Sequence, residues 1–354
     1  MDAYDIDPGV APAIANFRPP ERLGFGDINA PVMFDAEWRE GAWQRARLLP
    51  YGPIALWPGA RALHYGELVF EGLKAYRVGQ SRPNLFRADA NCRRFTRSAA
   101  RLSLATVPEA LFYQGLGAVV RACSDIMPTR TGRSLYLRPF LFGTESGYML
   151  RNSRTFRFMV IANPVEAYAS AAMQVTIERA EVRAAVGGIG EAKASANYAA
   201  AMRASNAAVL SGRSVALWLD ANEHRYLQEL SGMNIFVVLD GELHTPQLDG
   251  AILPGVTRDS LLTLSKTLGY TVHERRIALD EVLAGIGSGR VSELFACGTA
   301  AIVSPIAALV ESDGREYRLR ETDIVAKRLR ESLLAIQERR APDPFGWTQE
   351  LALN

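Results

Sequence analysis

The sequence predicts an α/β or α+β chain in two lobes, and three observations carry that reading. Strand-like and helix-like patterns mix in both halves of the 354 residues, with no internal repeat. A small, irregular stretch, Asn163 to Ala172, separates the halves. Beyond it a glycine turn, Gly187-Gly188-Ile189-Gly190, delivers Lys193 just ahead of an alanine-rich helix from Tyr198 to Leu210 that stops at Gly212. These marks assign 1–165 to a small N-terminal α/β domain opening with an arm over 1–22, 166–176 to a linker, and 177–354 to a large C-terminal α/β domain carrying the lysine.

The elements follow in order. Leu63, Tyr65, Leu68 and Phe70 alternate with polar or small residues between Arg61 and Ala75, a strand pattern. Asp89 is placed as the cap of a helix in which Cys92, Phe95, Ala99 and Leu102 recur at helical spacing. Pro108 opens a second helix, through Ile126. Ser134–Phe142 and Thr155–Ala162 read as strands, as do Met173–Arg179, Ser214–Asp220, Ile235–Asp240 and Val291–Ala296. Asp240-Gly241 signals a hairpin, and Pro254-Gly255 precedes an amphipathic helix from Thr257 to Leu268. Thr322 caps a last helix with Ile324, Val325, Leu329, Leu333 and Ile336 on one face.

Composition then removes function classes. An apolar fraction of 48% with 22% charged residues is ordinary for a globular protein. Forty basic residues against 38 acidic ones, with no basic block, argue against nucleic acid. No apolar run is long enough for a bilayer, and the acidic start Met1-Asp2-Ala3-Tyr4-Asp5 is unlike a secretory signal, so neither a membrane nor export is expected. Cys92, Cys123 and Cys297 lie far apart and form no metal or redox pair, which points to the cytoplasm. His64, His224, His244 and His273 are scattered, and the spacings of zinc and serine hydrolases are absent, so no metal is assigned.

Several positions have both a plain reading and a chemical one. Lys193 is a solvated loop lysine or a shielded amine able to attack a carbonyl. The phosphate-loop spacing fails, because Ala192 stands where that motif needs glycine. Gly255-Val256-Thr257 at a helix start and Cys297-Gly298-Thr299 after a strand are plain turns or anion sites. Arg138, inside Leu135-Tyr136-Leu137-Arg138-Pro139-Phe140, is an edge residue or a guanidinium gripping a carboxylate or phosphate. Arg94 poses the same choice in its helix, and Glu229 is by default a solvated strand-end carboxylate.

In order along the chain stand His64-Tyr65-Gly66, Phe70-Glu71-Gly72-Leu73-Lys74-Ala75-Tyr76, Leu135 to Phe140, Gly187 to Lys193, Gly232-Met233-Asn234-Ile235-Phe236, Ile252 to Ser260, and Phe295-Ala296-Cys297-Gly298-Thr299-Ala300. From about Leu23 to the final helix, this series resembles the branched-chain amino acid aminotransferases, fold type IV pyridoxal 5′-phosphate enzymes. The resemblance implies a Schiff base at Lys193, which also shuttles the proton, and Glu229 against the pyridine nitrogen. It implies Tyr198 on the ring oxygen, with Arg94, Leu253, Gly255, Val256, Thr257 and Thr299 completing the cofactor site. Tyr65, Arg138 and the Gly298 to Ala300 backbone would receive substrate carboxylates, and Phe70 and Tyr136 would line the side-chain pocket. The implied reaction is ping-pong transamination of an L-amino acid with 2-oxoglutarate or glutamate, in a homodimer.

Departures from the family pattern bear on substrate. Asn29-Ala30-Pro31-Val32-Met33 replaces a stretch with a pocket aromatic, Ser195-Ala196 replaces a glycine pair before Asn197-Tyr198, Ser231 replaces glycine, and the segment from Tyr168 to Ala172 is short. They predict a relaxed or redirected specificity, toward a non-branched or more polar amino acid of a specialised pathway. Rivals on the same fold are a D-amino acid aminotransferase and an aminodeoxychorismate lyase. A non-catalytic metabolite-binding protein is the alternative of another class, against which the presence of both Lys193 and Glu229 speaks.

Overall fold

The structure, a computed structural model, describes residues 4–166, 172–320 and 323–352. The chain divides into two compact units: Met1–Tyr168 with Ala192–Ser195 and Ala335–Asn354, and Ala169–Glu191 with Ala196–Leu334. Lys193 and the C-terminal residues therefore group with the first unit, where sequence order alone assigns them to the second domain. The reason is non-local pairing. Ala194 bridges Val69, and Thr348–Glu350 pairs antiparallel with Asn84–Phe86. Tyr76 Oη donates to Gln337 Oε1 at 3.0 Å.

The first unit is built on a ten-stranded sheet. Its spine is the antiparallel pair Arg133–Gly143 and Phe156–Glu166, in register from Arg133↔Glu166 to Gly143↔Phe156. Val32–Arg39 lies beyond the second of these strands, and Leu68–Phe70 and Leu73–Tyr76 lie beyond the first. The linker expected from Asn163 is thus strand as far as Glu166, because small and irregular residues still ladder when a long partner faces them. Residues 167–171, which hold most of the shortened segment, lie outside the described residues.

Local signals were overridden in two places. Between Arg61 and Ala75 the alternation is not one strand but a helical turn, Arg61–Tyr65, and two short strands. Helix Ala88–Arg101 is capped at Arg87, with φ 50°, so Asp89 falls in the first turn, where its charge suits the helix dipole and pairs with Arg93 at 2.7 Å. Helix Glu109–Ala122 starts after Pro108, as expected. Its Phe112 stacks on Phe158 and tilts against Phe95, covering the sheet.

The second unit holds a nine-stranded sheet in the order Leu227–Leu230, Val215–Leu219, Met173–Glu178, Ile302–Val310, Val291–Gly298, Asn234–Leu239, Glu242–Pro246, Val272–Arg275, with Glu316–Arg318 as the ninth strand on Ile302–Val310. Ile177, Leu217, Ile235, Val237, Leu294 and Leu309 are fully or almost fully buried on it. Asp240 and Gly241, at φ 51° and 82°, make the hairpin the sequence signalled. Helix Val256–Thr267 follows Gly255, and helix Ser195–Leu210 begins a turn earlier than expected. The residue expected to cap helix Ile324–Gln337, Thr322, lies outside the described residues. The buried Glu293 carboxylate accepts from the amides of Val325 and Ala326, at 2.9 and 3.0 Å.

Candidate active site

In the first unit, the short strand Leu68–Phe70 fixes the lysine's backbone. The Phe70 amide donates to the Lys193 carbonyl at 3.0 Å, and the Lys193 amide donates to Ser98 Oγ at 2.9 Å. Ser98 is buried on helix Ala88–Arg101. With main chain held from both sides, the half-buried side chain places Nζ 4.9 Å from the Phe70 ring centroid. The Arg138 guanidinium carbon lies 4.6 Å from the same centroid. Arg138 is therefore not an edge residue: it sits half-buried on the central strand, and its Nη2 donates to Tyr136 Oη at 2.9 Å. Gly72 lets that hydroxyl approach, since a Cβ there would collide with it. Tyr65 is 40% exposed, and its hydroxyl donates to the Tyr148 carbonyl at 2.5 Å.

Arg94 is buried and faces Glu71. Its Nε donates to Glu71 Oε1 at 2.7 Å and its Nη2 to Oε2 at 2.8 Å, a two-pronged pair. Asn91 Nδ2 and the Gly72 amide also donate to Glu71 Oε2, at 2.7 and 3.0 Å. Burial acts to raise the Glu71 pKa, but the Arg94 guanidinium, aided by Lys193, outweighs it and holds the carboxyl below the usual range.

In the second unit Glu229 is 4% exposed within strand Leu227–Leu230, which overturns the default of a solvated strand end. Arg183 Nη2 lies 2.6 Å from its Oε1, Asn234 Nδ2 donates to Oε2 at 3.0 Å, and the Leu253 amide donates to Oε1 at 3.2 Å. Asn234 also donates to the Leu253 carbonyl at 3.0 Å, and its Oδ1 lies where a Cβ on Gly255 would clash. Only glycine fits there. No side chain caps the helix that Val256 and Thr257 begin, so its start suits an anion. Val291–Gly298 turns through Thr299, Ala300 and Ala301 into the next strand, with Gly298 paired to Ile302, whose φ is 63°. That is a strained value for a β-branched residue. Tyr198 is half-buried in the first turns of helix Ser195–Leu210.

Two of the departures have structural partners. Ser231 Oγ accepts from Trp218 Nε1 at 3.1 Å and from Ser205 Oγ at 2.8 Å. Asn29 Oδ1 accepts from Asn163 Nδ2 at 3.0 Å. Sequence reasoning missed Glu71, Ser98 and Arg183 as participants. Glu71 stood inside a quoted motif without a role. Ser98 lies four residues after Arg94 on one helix face, a signal that was available. Arg183 had none.

The scattered histidines also need correction, because His244 and His273 face each other across paired strands, with rings 4.7 Å apart, and Glu242 lies 2.8 Å from His273 Nε2. Arg275 Nε donates to His244 Nδ1 at 3.0 Å, which puts the neutral ring's proton on Nε2 and leaves His244 no lone pair for a metal. Desolvation, with Arg275 and His273 nearby, lowers the His244 pKa. Burial pushes the Cys92 thiol up to about 11 and those of Cys123 and Cys297 to about 12, so none is a reactive thiolate. A cleft of about 640 Å³ in the first unit, lined by Trp43, Arg45, Leu111, Tyr113 and Arg121, contains none of the site residues.

Comparison with known proteins matches residues 68–309 to the amino-transferase class IV family. The chain is 42% identical over 339 residues to the branched-chain-amino-acid aminotransferase of Mycobacterium tuberculosis, covering 93% of this chain and 92% of that protein. It is 40% identical over 339 residues to branched-chain-amino-acid transaminase 1 of Bacillus subtilis, at 94% and 95% coverage. Among solved structures, a T.th. branched-chain amino acid aminotransferase complexed with N-(5′-phosphopyridoxyl)-L-glutamate superposes with TM-score 0.71 at 30% identity, over 90% of this chain and 98% of that one.

Proposed function

We propose, from the premise that the chain belongs to the amino-transferase class IV family, that it is a fold type IV aminotransferase acting on branched-chain L-amino acids. Its cofactor is pyridoxal 5′-phosphate, and glutamate with 2-oxoglutarate forms the partner couple. The observation that carries the reading is the buried Glu229 carboxylate, held by Arg183, Asn234 and the Leu253 amide in the unit that also holds the uncapped helix start at Gly255. That set fits a ligand with a protonated ring nitrogen and a phosphate.

Bound pyridoxal phosphate supplies an electron sink for charge developing at the substrate's α-carbon. The protein's own groups do the rest. Lys193 Nζ anchors the cofactor and carries the proton from the α-carbon to its new position. Glu229, anionic and fixed by its three donors, keeps the ring nitrogen protonated. Arg94, Leu253, Gly255, Thr299 and the amides of Val256 and Thr257 hold the phosphate, and Tyr198 the ring oxygen. Arg138, Tyr65 and the Gly298–Ala300 backbone receive carboxylates, with Phe70 and Tyr136 along the side-chain pocket. The expectation of a redirected specificity is not favoured: the relatives at 38–42% identity are named for branched-chain substrates, and Ser231 and Asn29 hydrogen-bond inside the protein. The D-amino acid and lyase alternatives are likewise not favoured by those relatives.

A homodimer is part of the proposal. Trp57, Tyr148, Met149 and Leu150 of the first unit are 73%, 71%, 71% and 85% exposed, more large apolar surface than a monomer ordinarily leaves in water. Cytoplasmic residence is supported by the three free cysteines. Among the described residues, no helix is long and apolar enough to cross a membrane.

The test is an absorbance spectrum of purified protein with pyridoxal phosphate, followed with leucine, isoleucine, valine, aspartate and D-alanine, without acceptor. Conversion of the cofactor to pyridoxamine phosphate by the three branched-chain donors ahead of the others is expected. A band that only other donors change would overturn the substrate assignment, and no band at all would overturn the enzyme class.

A further inference from the structure

We propose that Glu71 is a positioning residue that aims Arg94 at the cofactor phosphate and so sets the preference for the phosphorylated cofactor. This rests on the reading that Arg94 holds that phosphate. A buried arginine–glutamate pair is a poor device for stability, because well-packed apolar residues of similar volume often do as well. Its value lies in direction. A guanidinium is flat and its donors sit in a rigid fork, so filling the Nε and Nη2 edge fixes where the opposite edge points. Glu71 fills that edge at 2.7 and 2.8 Å.

Glu71 is itself held from several sides. Asn91 Nδ2 and the Gly72 amide donate to its Oε2, and its own amide donates to the Pro139 carbonyl at 2.7 Å. Asn91, Arg94 and Ser98 are spaced along one face of helix Ala88–Arg101, and Ser98 takes the Lys193 amide. One helix face thus sets the phosphate grip and the lysine's main chain together. A carboxylate beside a phosphate-binding cation also has a cost, since it offsets charge that would attract the phosphate. Removing the Glu71 charge therefore has two opposed effects, and the inference commits to the loss of aim being the larger.

The experiment titrates full-length protein, stripped of cofactor, with pyridoxal phosphate and separately with pyridoxal, by absorbance. The readout is the ratio of the two dissociation constants in the parent, E71Q, R94Q and the E71Q/R94Q double variant. E71Q is expected to lower the preference for the phosphorylated form by roughly tenfold while pyridoxal itself binds as before. It is expected to change nothing further once R94Q is present. An E71Q ratio equal to or above the parent's overturns the inference alone, provided R94Q collapses the ratio. An R94Q ratio equal to the parent's overturns the phosphate role of Arg94 beneath it. If E71Q does not fold, the double variant, which leaves no lone charge in the core, decides: a ratio below that of R94Q alone means Glu71 acts by another route.

Discussion

Each unit contains one buried arginine–glutamate pair among the groups assigned to the cofactor, and the two are built differently. Arg94 meets Glu71 fork to fork, through Nε and Nη2, with both side chains 5% exposed or less. Arg183 meets Glu229 end-on, through Nη2 alone, and shares that nitrogen with the Ala251 carbonyl at 2.5 Å. Its buried Nε has no partner among the described residues. The difference is instructive. In the first pair the carboxylate serves the arginine, whose orientation is the product. In the second the arginine serves the carboxylate, which keeps its charge without being enclosed in a fork. The same two residue types give a rigid grip in one place and a supported anion in the other.

The contrast can be broken in several ways. Removing the lysine proposed to anchor the cofactor has the largest expected effect: Lys193→Ala lowers transamination by at least about 10³-fold with an unchanged circular dichroism spectrum, and comparable turnover in that variant would remove the proposed mechanism. Next come the pairs themselves. Arg94→Leu leaves Glu71 buried and uncompensated, costing about 3–5 kcal/mol in urea unfolding. Arg183→Leu costs less, because fewer bonds are lost, and the reverse order would mean that the fork is not the tighter pair.

Acid sharpens the comparison further. A glutamate whose folded pKa is depressed contributes stability that is complete above its unfolded value, near ~4.3, and lost as pH falls through the folded one. The Glu71 pKa is depressed. Stability of the parent protein should therefore decline as pH drops below about 4.3, and Glu71→Gln should make that decline shallower in pH-dependent urea melts. An equally steep decline would mean the Glu71 pair is not what acid breaks. The smallest effect is expected at Ser231. Ser231→Gly deprives the Trp218 indole of its acceptor and costs about 1 kcal/mol, with the order of amino donors unchanged. A changed order would return Ser231 to the substrate pocket.

How much of this was legible in the sequence depended on distance along the chain. The Asp240-Gly241 hairpin, the helix behind Gly255 and the helix behind Lys193 were readable because each is written in consecutive residues. The order of motifs gave the cofactor class and the positions proposed for the site. What could not be read was what the fold brings together from distant positions: Glu71 to Arg94 on a helix, 23 residues apart, Arg183 to Glu229, and, on paired strands, His244 to His273. Burial also reversed two defaults: Glu229 and Arg138 look like surface charges on a linear string, yet Glu229 is buried on the end strand of its sheet and Arg138 is half-buried on an interior one. Asn163 to Glu166 misled for the opposite reason, its composition being that of a loop although a long partner strand holds it in the sheet.

The bridge from Val69 to Ala194, with the Phe70 amide on the Lys193 carbonyl, also bears on folding. Strand Leu68–Phe70 has Phe140 to Phe142 on one side, and on the other the lysine segment occupies the edge. An apolar edge left open is a template for pairing with another chain. A molecule that has not yet docked the segment around Lys193 therefore exposes a sticky edge, so the step that puts the proposed catalytic lysine in place also removes a route to aggregation.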